Sequence, residues 1–427
     1  DIGLCYCFEY NANSQFCELW TVPIRHSKAV GGYECHVKTI NDQLINLYPE
    51  PSQVVLHRVF FKTNDPKAVC RDGSAPAYYF KAATDPKMQN TWLMLLRGGG
   101  WCYDTSSCRS FWSSSSNNWP DRLSKMAIFS SGDDKNRNDI WHSGSPLAGS
   151  NLIFLPYCSC DAHMGDSEHA GMQFRGYRIV RAALRTLAGL GMASGHNFVF
   201  AGWSAGARGA MTHLDSVHEV IPKGVNVIGY LDSPLYIEFP GFDHFSSETK
   251  KATDLYVSDK LTKPCADKWG HANRWKCAFG MYRVPMIKSP YVIVASQNDA
   301  YQVSGIARDA DKQQRFMRLT RDILRGLGDN AAVHSSGCYD HALTQNWFFN
   351  EERVGGSTGQ ASLPSGGARG STFSMAASLN LTLQAVLHGG RKPRFIETCS
   401  GLHCGRWCLP QKCCMPGGEF RDLCTNR

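Results

Sequence analysis

The sequence predicts an α/β fold with a mostly parallel central sheet, helices on both faces of that sheet, and disulfide-rich N- and C-terminal extensions. Three observations lead to this prediction. Short apolar runs typical of buried strands alternate with segments of helical period, the pattern of a parallel sheet covered by helices. Glycine-rich turns follow two of these runs, at 98–100 and 202–206. The cysteines are crowded toward both termini.

The elements are taken in chain order. Apolar runs bounded by turn residues predict strands at 54–56, 59–61, 77–80, 92–96, 151–155, 197–201, 225–231 and 291–295. The first two are expected to pair with each other. Apolar residues at helical spacing predict helices near 171–190, 309–327 and 372–388. Residues 355–371 form a low-complexity loop rich in glycine and serine.

The composition excludes several classes of protein. Hydrophobic residues make up 43% and charged residues 19% of the 427 positions, which excludes a globally disordered chain. No apolar run approaches the ~18 residues that a membrane-spanning helix needs. The net charge of +8 comes from scattered basic residues, so we expect no nucleic acid as partner. The charge favours an acidic polymer.

Eighteen cysteines indicate an oxidising compartment and a disulfide framework. The C-terminal cysteines could alternatively bind zinc, but their spacings match no paired CxxC pattern. The chain begins at Asp1 without a signal-type stretch, so we expect a secreted, mature form whose signal peptide has been removed. The sequon at Asn380 is a candidate glycosylation site.

The same features suggest three regions. Residues 1–50 form a Cys-rich lead, residues 51–395 a catalytic domain, and residues 396–427 a Cys-rich knot or cap. The two ends serve either as disulfide staples or as modules for assembly or adhesion, and we favour staples. Six cysteines permit 15 internal connectivities, so the sequence does not determine the pairing.

The turn Gly202-Trp203-Ser204-Ala205-Gly206 lies between a predicted strand and a helix. This is the context of a nucleophile elbow, in which a strained turn presents a serine above the sheet. Ser204 is therefore the candidate nucleophile. The N–H of Ala205 would be one oxyanion donor, and the glycine-rich loop 97–101, after the 92–96 strand, would supply others.

A nucleophilic serine needs a base, and the base needs an orienting acid. In the order Ser…Asp/Glu…His, Asp232 and Asp299 follow predicted strands, and His334 and His341 come later. We favour Ser204, His341 and Asp299, because Asp299 follows the second strand past the elbow and His341 lies in a loop that a nearby cysteine could fix. Asp232 and His334 stay open as alternatives.

Several segments together resemble the pectin acetylesterase/Notum family of secreted serine esterases. They include GGGWC (98–102), IFLPYCSCD (153–161), AGWSAGARG (201–209) and the Cys338-x-x-His341 pair. The resemblance covers roughly residues 55–390. It implies an α/β-hydrolase fold and a carboxylic-ester hydrolase that needs no metal and no cofactor.

The resemblance also assigns roles to individual residues. It carries the nucleophile to Ser204, the acid to Asp299 and the base to His341. It places oxyanion donors at Gly100, Trp101 and Ala205. These assignments agree with those made from the residues themselves.

This chain departs from the family at two places. Arg97 stands where the family usually has an acidic residue, which affects hydrogen bonding beneath the oxyanion loop. Gly206-Ala207 replaces a common Gly-Gly. Beside the site, Cys102 and Cys108 are expected to form a local bridge.

The resemblance leaves two substrate branches, because one branch removes acetyl groups from cell-wall polysaccharide and the other a fatty acyl group from a secreted protein. The positive charge, and the absence of a recognisable lipid-channel wall, favour O-deacetylation of an extracellular polysaccharide. A deacylase of a lipidated protein is the alternative. A third reading is a non-catalytic secreted scaffold, against which the intact triad and glycine loop argue.

Overall fold

The computed structural model of the chain describes residues 55–61, 65–112, 114–124, 140, 145–241, 243–304, 309–337, 340–343, 382–390 and 392–396. It gives the backbone alone over 6–11, 16–20, 33–38, 353–355, 372–374, 413–414 and 420–421. The predictions at Cys338 and Asn380, and those on the cysteine side chains of both ends, lie outside the described residues. Among the described helices, none is long and apolar enough to cross a bilayer.

The strands are β1 (Tyr6–Asn11), β2 (Phe16–Trp20), β3 (Tyr33–Lys38), β4 (Val55–Phe60), β5 (Ala77–Lys81), β6 (Thr91–Leu96), β7 (Arg122–Ser124), β8 (Asn151–Leu155), β9 (Ser167–His169), β10 (Met172–Phe174), β11 (Asn197–Trp203), β12 (Asn226–Asp232), β13 (Tyr291–Val294), β14 (Ala331–Ser335), β15 (Arg353–Gly355), β16 (Thr372–Ser374), β17 (Arg394–Ile396), β18 (Cys413–Cys414) and β19 (Phe420–Arg421). The five central runs predicted between 92 and 295 all lie on strands.

The helices are α1 (Thr105–Arg109), α2 (Gly176–Gly189), α3 (Ala205–His213), α4 (His244–Leu255), α5 (Asp259–Trp269), α6 (Gly280–Arg283), α7 (Ala300–Val303), α8 (Ala310–Arg325) and the helical residues 382–387, α9. Shorter 3₁₀ turns occupy Pro86–Met88, Met192–Ser194, Leu214–Glu219, His271–Ala278 and Val284–Met286. The predicted helix near 309–327 is confirmed as α8.

Ten strands form one sheet in the order β17-β14-β13-β12-β11-β6-β8-β5-β4-β7. The strands from β17 to β8 are parallel, and β5, β4 and β7 add an antiparallel edge. Because these parallel strands share a direction, the loops after β6, β11, β12, β13 and β14 all lie beyond the C-terminal ends of the strands. Open α/β sheets bind ligands at the C-terminal ends of their strands.

Alternate residues of the central strands face two separate cores, so helices cover both faces of the sheet as predicted. On one face, Met94 and Phe200 pack with apolar side chains of α2, α3 and α8. On the other face, Leu95 and Val199 pack with residues of α9. Strands buried on both faces appear as continuous apolar runs in sequence, and the burial of every residue of β6 and β8 explains that signal.

Three local predictions need correction. The helix expected over 372–388 is confined to α9 in the described residues, and 372–374 instead pair with β15, because threonine and phenylalanine favour strands. The helix expected from 171 begins at Gly176, since 172–174 form a hairpin with β9. The runs at 54–56 and 59–61 belong to one strand that pairs with β5. The lead also contains a three-stranded sheet, β2-β1-β3.

Three disulfides join described cysteines: Cys70–Cys158, Cys102–Cys108 and Cys265–Cys277. The bridge predicted between Cys102 and Cys108 is therefore confirmed. Cys160 is a free thiol in the interior. Cys70–Cys158 connects the segment before β5 to the loop after β8, and its sequence separation of 88 residues restricts the unfolded chain strongly.

Candidate active site

Ser204 occupies a strained turn between β11 and α3. Its backbone has φ 53° and ψ −121°, a region that non-glycine residues rarely adopt and that costs roughly 1–3 kcal/mol. The chain packs tightly here, since a Cβ on Gly202 would overlap the Gly206 carbonyl and a Cβ on Gly206 would overlap the carbonyl of Leu96. The two glycines of the predicted elbow are therefore sterically required.

The loops after the parallel strands β11, β14 and β13 bring Ser204, His341 and Asp299 together. His341 Nε2 lies 2.7 Å from Ser204 Oγ. His341 Nδ1 lies 2.9 Å from each carboxylate oxygen of Asp299. Because a carboxylate only accepts hydrogen bonds, Nδ1 carries the proton, and Nε2 of the neutral ring faces the serine as an acceptor.

The other acid and the other base that the sequence allowed, Asp232 and His334, form different contacts from Asp299 and His341. Asp232 ends β12 in the interior, where its Oδ1 accepts a hydrogen bond from Ser233 Oγ at 3.0 Å. Its backbone carbonyl accepts from the Ser204 N–H at 2.9 Å. His334 lies within β14, fully buried, and burial lowers its pKa to about 4. The structure brings Asp299 and His341 to the serine, and the catalytic role of each residue stays a prediction.

The surroundings of His341 favour its charged form. Burial alone would lower its pKa, but the Asp299 carboxylate, followed by Asp232 and Asp340, outweighs burial, so the pKa lies above its ordinary value. Asp340 also accepts the His341 backbone N–H at 2.7 Å. The ring of Tyr301 lies 5.2 Å from the imidazole. The site is thus prepared for an imidazolium that forms when the serine loses its proton.

The glycine loop after β6 lies beside the serine and has the conformation that only glycine adopts readily. Gly99 and Gly100 have φ 139° and 77°. Among the hydrogen bonds of the described residues, none is donated by the N–H groups of Gly100, Trp101 or Ala205. Three unpaired N–H groups next to a nucleophile suit the binding of an oxyanion.

Several contacts fix this loop. The Cys102–Cys108 bridge anchors it to α1, and the Tyr256 hydroxyl donates to the Cys102 carbonyl at 2.6 Å. Beneath it, Nε2 of the buried His163 donates to the carbonyl of Arg97 at 2.9 Å. His163 therefore supplies hydrogen bonding beneath the oxyanion loop, at the position where Arg97 replaces the acidic residue usual in the family.

The Arg97 side chain itself points toward an exposed tryptophan. Its guanidinium carbon lies 5.1 Å from the ring of Trp112, and Trp112 Nε1 donates to the Gly99 carbonyl at 3.2 Å. Trp112 is 58% exposed. Arg97 therefore supports the glycine loop by stacking on a neighbour rather than by accepting hydrogen bonds.

Sequence reasoning missed two residues in the wall of the site. Arg208 lies one helical turn after Ser204 and is 2% exposed. Its guanidinium lies between the rings of Trp101 and Tyr236. The side chain of Tyr236 also interacts with that of Ser204. The sequence did contain a sign of Arg208: it is a lone arginine in a helix of small residues, four positions after the nucleophile. That spacing places Arg208 and Ser204 on the same face of the helix.

One group of described residues has a ligand set that a metal could use: Cys102, Cys108 and Cys160. Two of the three are bonded to each other as a disulfide. Burial raises the pKa of the Cys160 thiol, so the group offers no thiolate at neutral pH, and thiolate is the form that binds metals. This cluster does not fit a metal centre.

A hydrogen-bonded serine, imidazole and carboxylate beside free N–H groups can perform acyl transfer. The fold is supported by a solved structure of the Wnt deacylase Notum from Drosophila. That structure aligns with a TM-score of 0.65 at 20% identity, over 83% of this chain and 100% of that one. Fold and site together define a carboxylic-ester hydrolase of the α/β-hydrolase type.

Comparison with known proteins identifies the family. The pectinacetylesterase family model matches residues 50–354, and the chain belongs to that family. The mouse palmitoleoyl-protein carboxylesterase NOTUM is 24% identical to this chain, in an alignment that covers 79% of this chain and 70% of NOTUM. Pectin acetylesterase 7 of Arabidopsis thaliana is 28% identical over 59% of this chain and 65% of its own. The predicted resemblance is confirmed.

Proposed function

We propose that this chain hydrolyses carboxylic esters through an acyl-enzyme on Ser204. The observation that carries the proposal is the continuous hydrogen-bonded chain from Ser204 through His341 to Asp299, at 2.7 and 2.9 Å. His341 Nε2 takes the proton of Ser204 Oγ as that oxygen attacks the ester carbonyl. Asp299 holds the imidazole in the required tautomer and stabilises the imidazolium.

The N–H groups of Gly100, Trp101 and Ala205 bind the oxyanion of the tetrahedral intermediate. The imidazolium of His341 then donates its proton to the leaving alcohol, which breaks the ester bond and leaves the acyl group on Ser204. A water molecule that loses its proton to His341 cleaves the acyl-enzyme. A single oxyanion donor is typically worth about 10²–10³ in rate.

We propose O-acetyl groups of an extracellular polysaccharide as the substrate. The net charge of +8 suits an acidic polymer. The buried guanidinium of Arg208 beside Ser204 disfavours a long alkyl chain, because an alkyl chain cannot solvate an unpaired charge. The similarity to NOTUM, which is named a palmitoleoyl-protein carboxylesterase, supports the alternative of a lipidated protein.

Two further proposals concern location and organisation. We propose a secreted protein, supported by the three disulfides among the described residues and by the number of cysteines. Residues 51–395 are proposed as the catalytic domain, supported by the family match over 50–354. The segments 1–50 and 396–427 are proposed as disulfide staples rather than assembly modules, and Asn380 as a glycan site.

The test is hydrolysis of p-nitrophenyl acetate against p-nitrophenyl octanoate, with Ser204→Ala as the control. We expect acetate to be preferred, and the variant to lose on the order of 10⁴-fold or more in kcat. Octanoate preference would instead support the deacylase of lipidated proteins. Turnover of neither ester, or turnover that survives the substitution, would contradict the mechanism and favour a non-catalytic scaffold.

A further inference from the structure

Arg208 is a buried cation one helical turn from the nucleophile. Its guanidinium carbon lies 3.9 Å from the centre of the Trp101 ring and 3.4 Å from the centre of the Tyr236 ring. The planar group is thus held between two aromatic faces, an arrangement in which a guanidinium is stabilised and fixed in orientation. Its backbone N–H donates to the Ser204 carbonyl at 3.0 Å, so the helix itself ties its position to the serine.

This guanidinium has no anionic partner among the described residues. Its Nε and Nη2 atoms are buried without a hydrogen-bond partner, and no described carboxylate forms an ion pair with it. Glu248 interacts electrostatically with the guanidinium without forming an ion pair, and Glu248 also interacts with the side chain of Tyr103. An unpaired buried charge is strongly unfavourable, and a bound carboxylate would remove that penalty.

The two residues whose rings hold the guanidinium also belong to the site around Ser204. Trp101 contributes one of the proposed oxyanion N–H groups. The side chain of Tyr236 interacts with that of Ser204. A ligand atom that reaches Arg208 therefore lies next to the ester bond under attack and belongs to the same substrate molecule.

We propose that Arg208 is a specificity-determining residue that binds a carboxylate carried by the ester substrate. The inference rests on the proposed function. A guanidinium and a carboxylate form paired, charge-assisted hydrogen bonds, which are stronger in a buried site than in water. The carboxylate can belong to the acyl part, as in a half-ester of a dicarboxylic acid, or to the alcohol part, as in an acetylated sugar acid.

The experiment measures kcat/KM for two matched pairs of esters. Monomethyl succinate against methyl pentanoate tests the acyl part, and O-acetylated methyl galacturonoside against O-acetylated methyl galactoside, with the uronate carboxyl free, tests the alcohol part. We expect one pair to favour the carboxylate by about 10- to 100-fold, the range for a hydrogen bond to a charged group. The pair that shows the preference identifies where the carboxylate lies.

Arg208→Met removes the charge and keeps much of the side-chain length, so we expect the preference in that pair to fall by about tenfold or more. Arg208→Lys should retain part of it, because it keeps the charge and loses the planar fork. Arg181→Met is the matched control: Arg181 is a buried arginine of α2 that pairs with Glu219. We expect this control to keep the preference.

A second measurement does not depend on a variant that folds. With the wild-type protein and p-nitrophenyl acetate, the free acid of the favoured pair, succinate or galacturonate, should inhibit at least tenfold more strongly than its neutral counterpart, succinamide or galactose. No preference above threefold in either pair, or an equal loss for both members in Arg208→Met, would overturn the inference. Absence of Ser204-dependent hydrolysis of p-nitrophenyl acetate would instead refute the proposed function.

Discussion

Replacing Asp299 with asparagine tests the acid of the site. The variant keeps the size of the side chain and an oxygen that can accept the Gln302 N–H, which Asp299 accepts at 3.1 Å as the cap of α7. Asparagine caps helices about as well as aspartate, so we expect the free energy of unfolding to change by less than about 1 kcal/mol. The change removes the negative charge that faces His341 Nδ1.

The size of the kinetic effect follows from the contact distance. Two unit charges 2.9 Å apart interact by about 6 kcal/mol at an effective dielectric constant of about 20. If the imidazolium of the transition state loses that interaction, the rate falls by about 10⁴-fold, a loss similar to that of other dissected triads. We expect this loss in kcat for p-nitrophenyl acetate, measured with protein whose urea unfolding curve matches the wild type.

Asp232→Asn is the matched control, because Asp232 is equally buried and was the other acid that the sequence allowed. The Asp232 carboxylate raises the His341 pKa less than the Asp299 carboxylate does, so we expect a loss in kcat below about tenfold. If Asp232→Asn lost as much activity as Asp299→Asn, or if Asp299→Asn stayed within tenfold of the wild type, the assignment of the acid would be wrong.

Three further predictions follow. The His341 pKa lies above its ordinary value, and the base must be neutral, so kcat/KM should rise with pH through that raised pKa. Asp299→Asn should move this rise to lower pH. A rise at the same pH in the variant would contradict the pairing of Asp299 with His341. Gly206→Ala should lower stability by about 1–3 kcal/mol, whereas Gly224→Ala, where a Cβ meets nothing within 4 Å, should not. Replacing Cys70 and Cys158 by alanine should cost about 4–5 kcal/mol in urea unfolding, from the 88-residue separation; a loss below 1 kcal/mol would contradict the entropic argument.

The central strands and the elbow were predictable because their signals are local. A strand buried on both faces must be apolar throughout, as β6 is, and the backbone overlaps around Gly202 and Gly206 leave glycine as the residue that fits. Chain order limited the acid to two aspartates and the base to two histidines. Choosing between them needed the distances, because neighbouring strand ends give every candidate a similar sequence context.

Other features were not predictable because tertiary contacts decide them. The apolar spacing over 372–388 suggested one helix, yet 372–374 pair with β15, and such pairing leaves no local signal. The burial of Arg208 depends on two aromatic rings that lie far from it in sequence. A single arginine in a helix is usually solvent-exposed, so only the fold shows that this one lines the site.

The most direct test of the central claim is the mass of the protein after reaction with a fluorophosphonate. This reagent transfers its phosphonyl group to a serine whose hydroxyl is activated by a neighbouring base and whose oxyanion is stabilised. We expect one adduct, mapped to the peptide that contains Ser204, and its rate of formation to fall sharply in His341→Ala. An unlabelled protein, or an adduct on another serine, would contradict the account of Ser204 as the nucleophile.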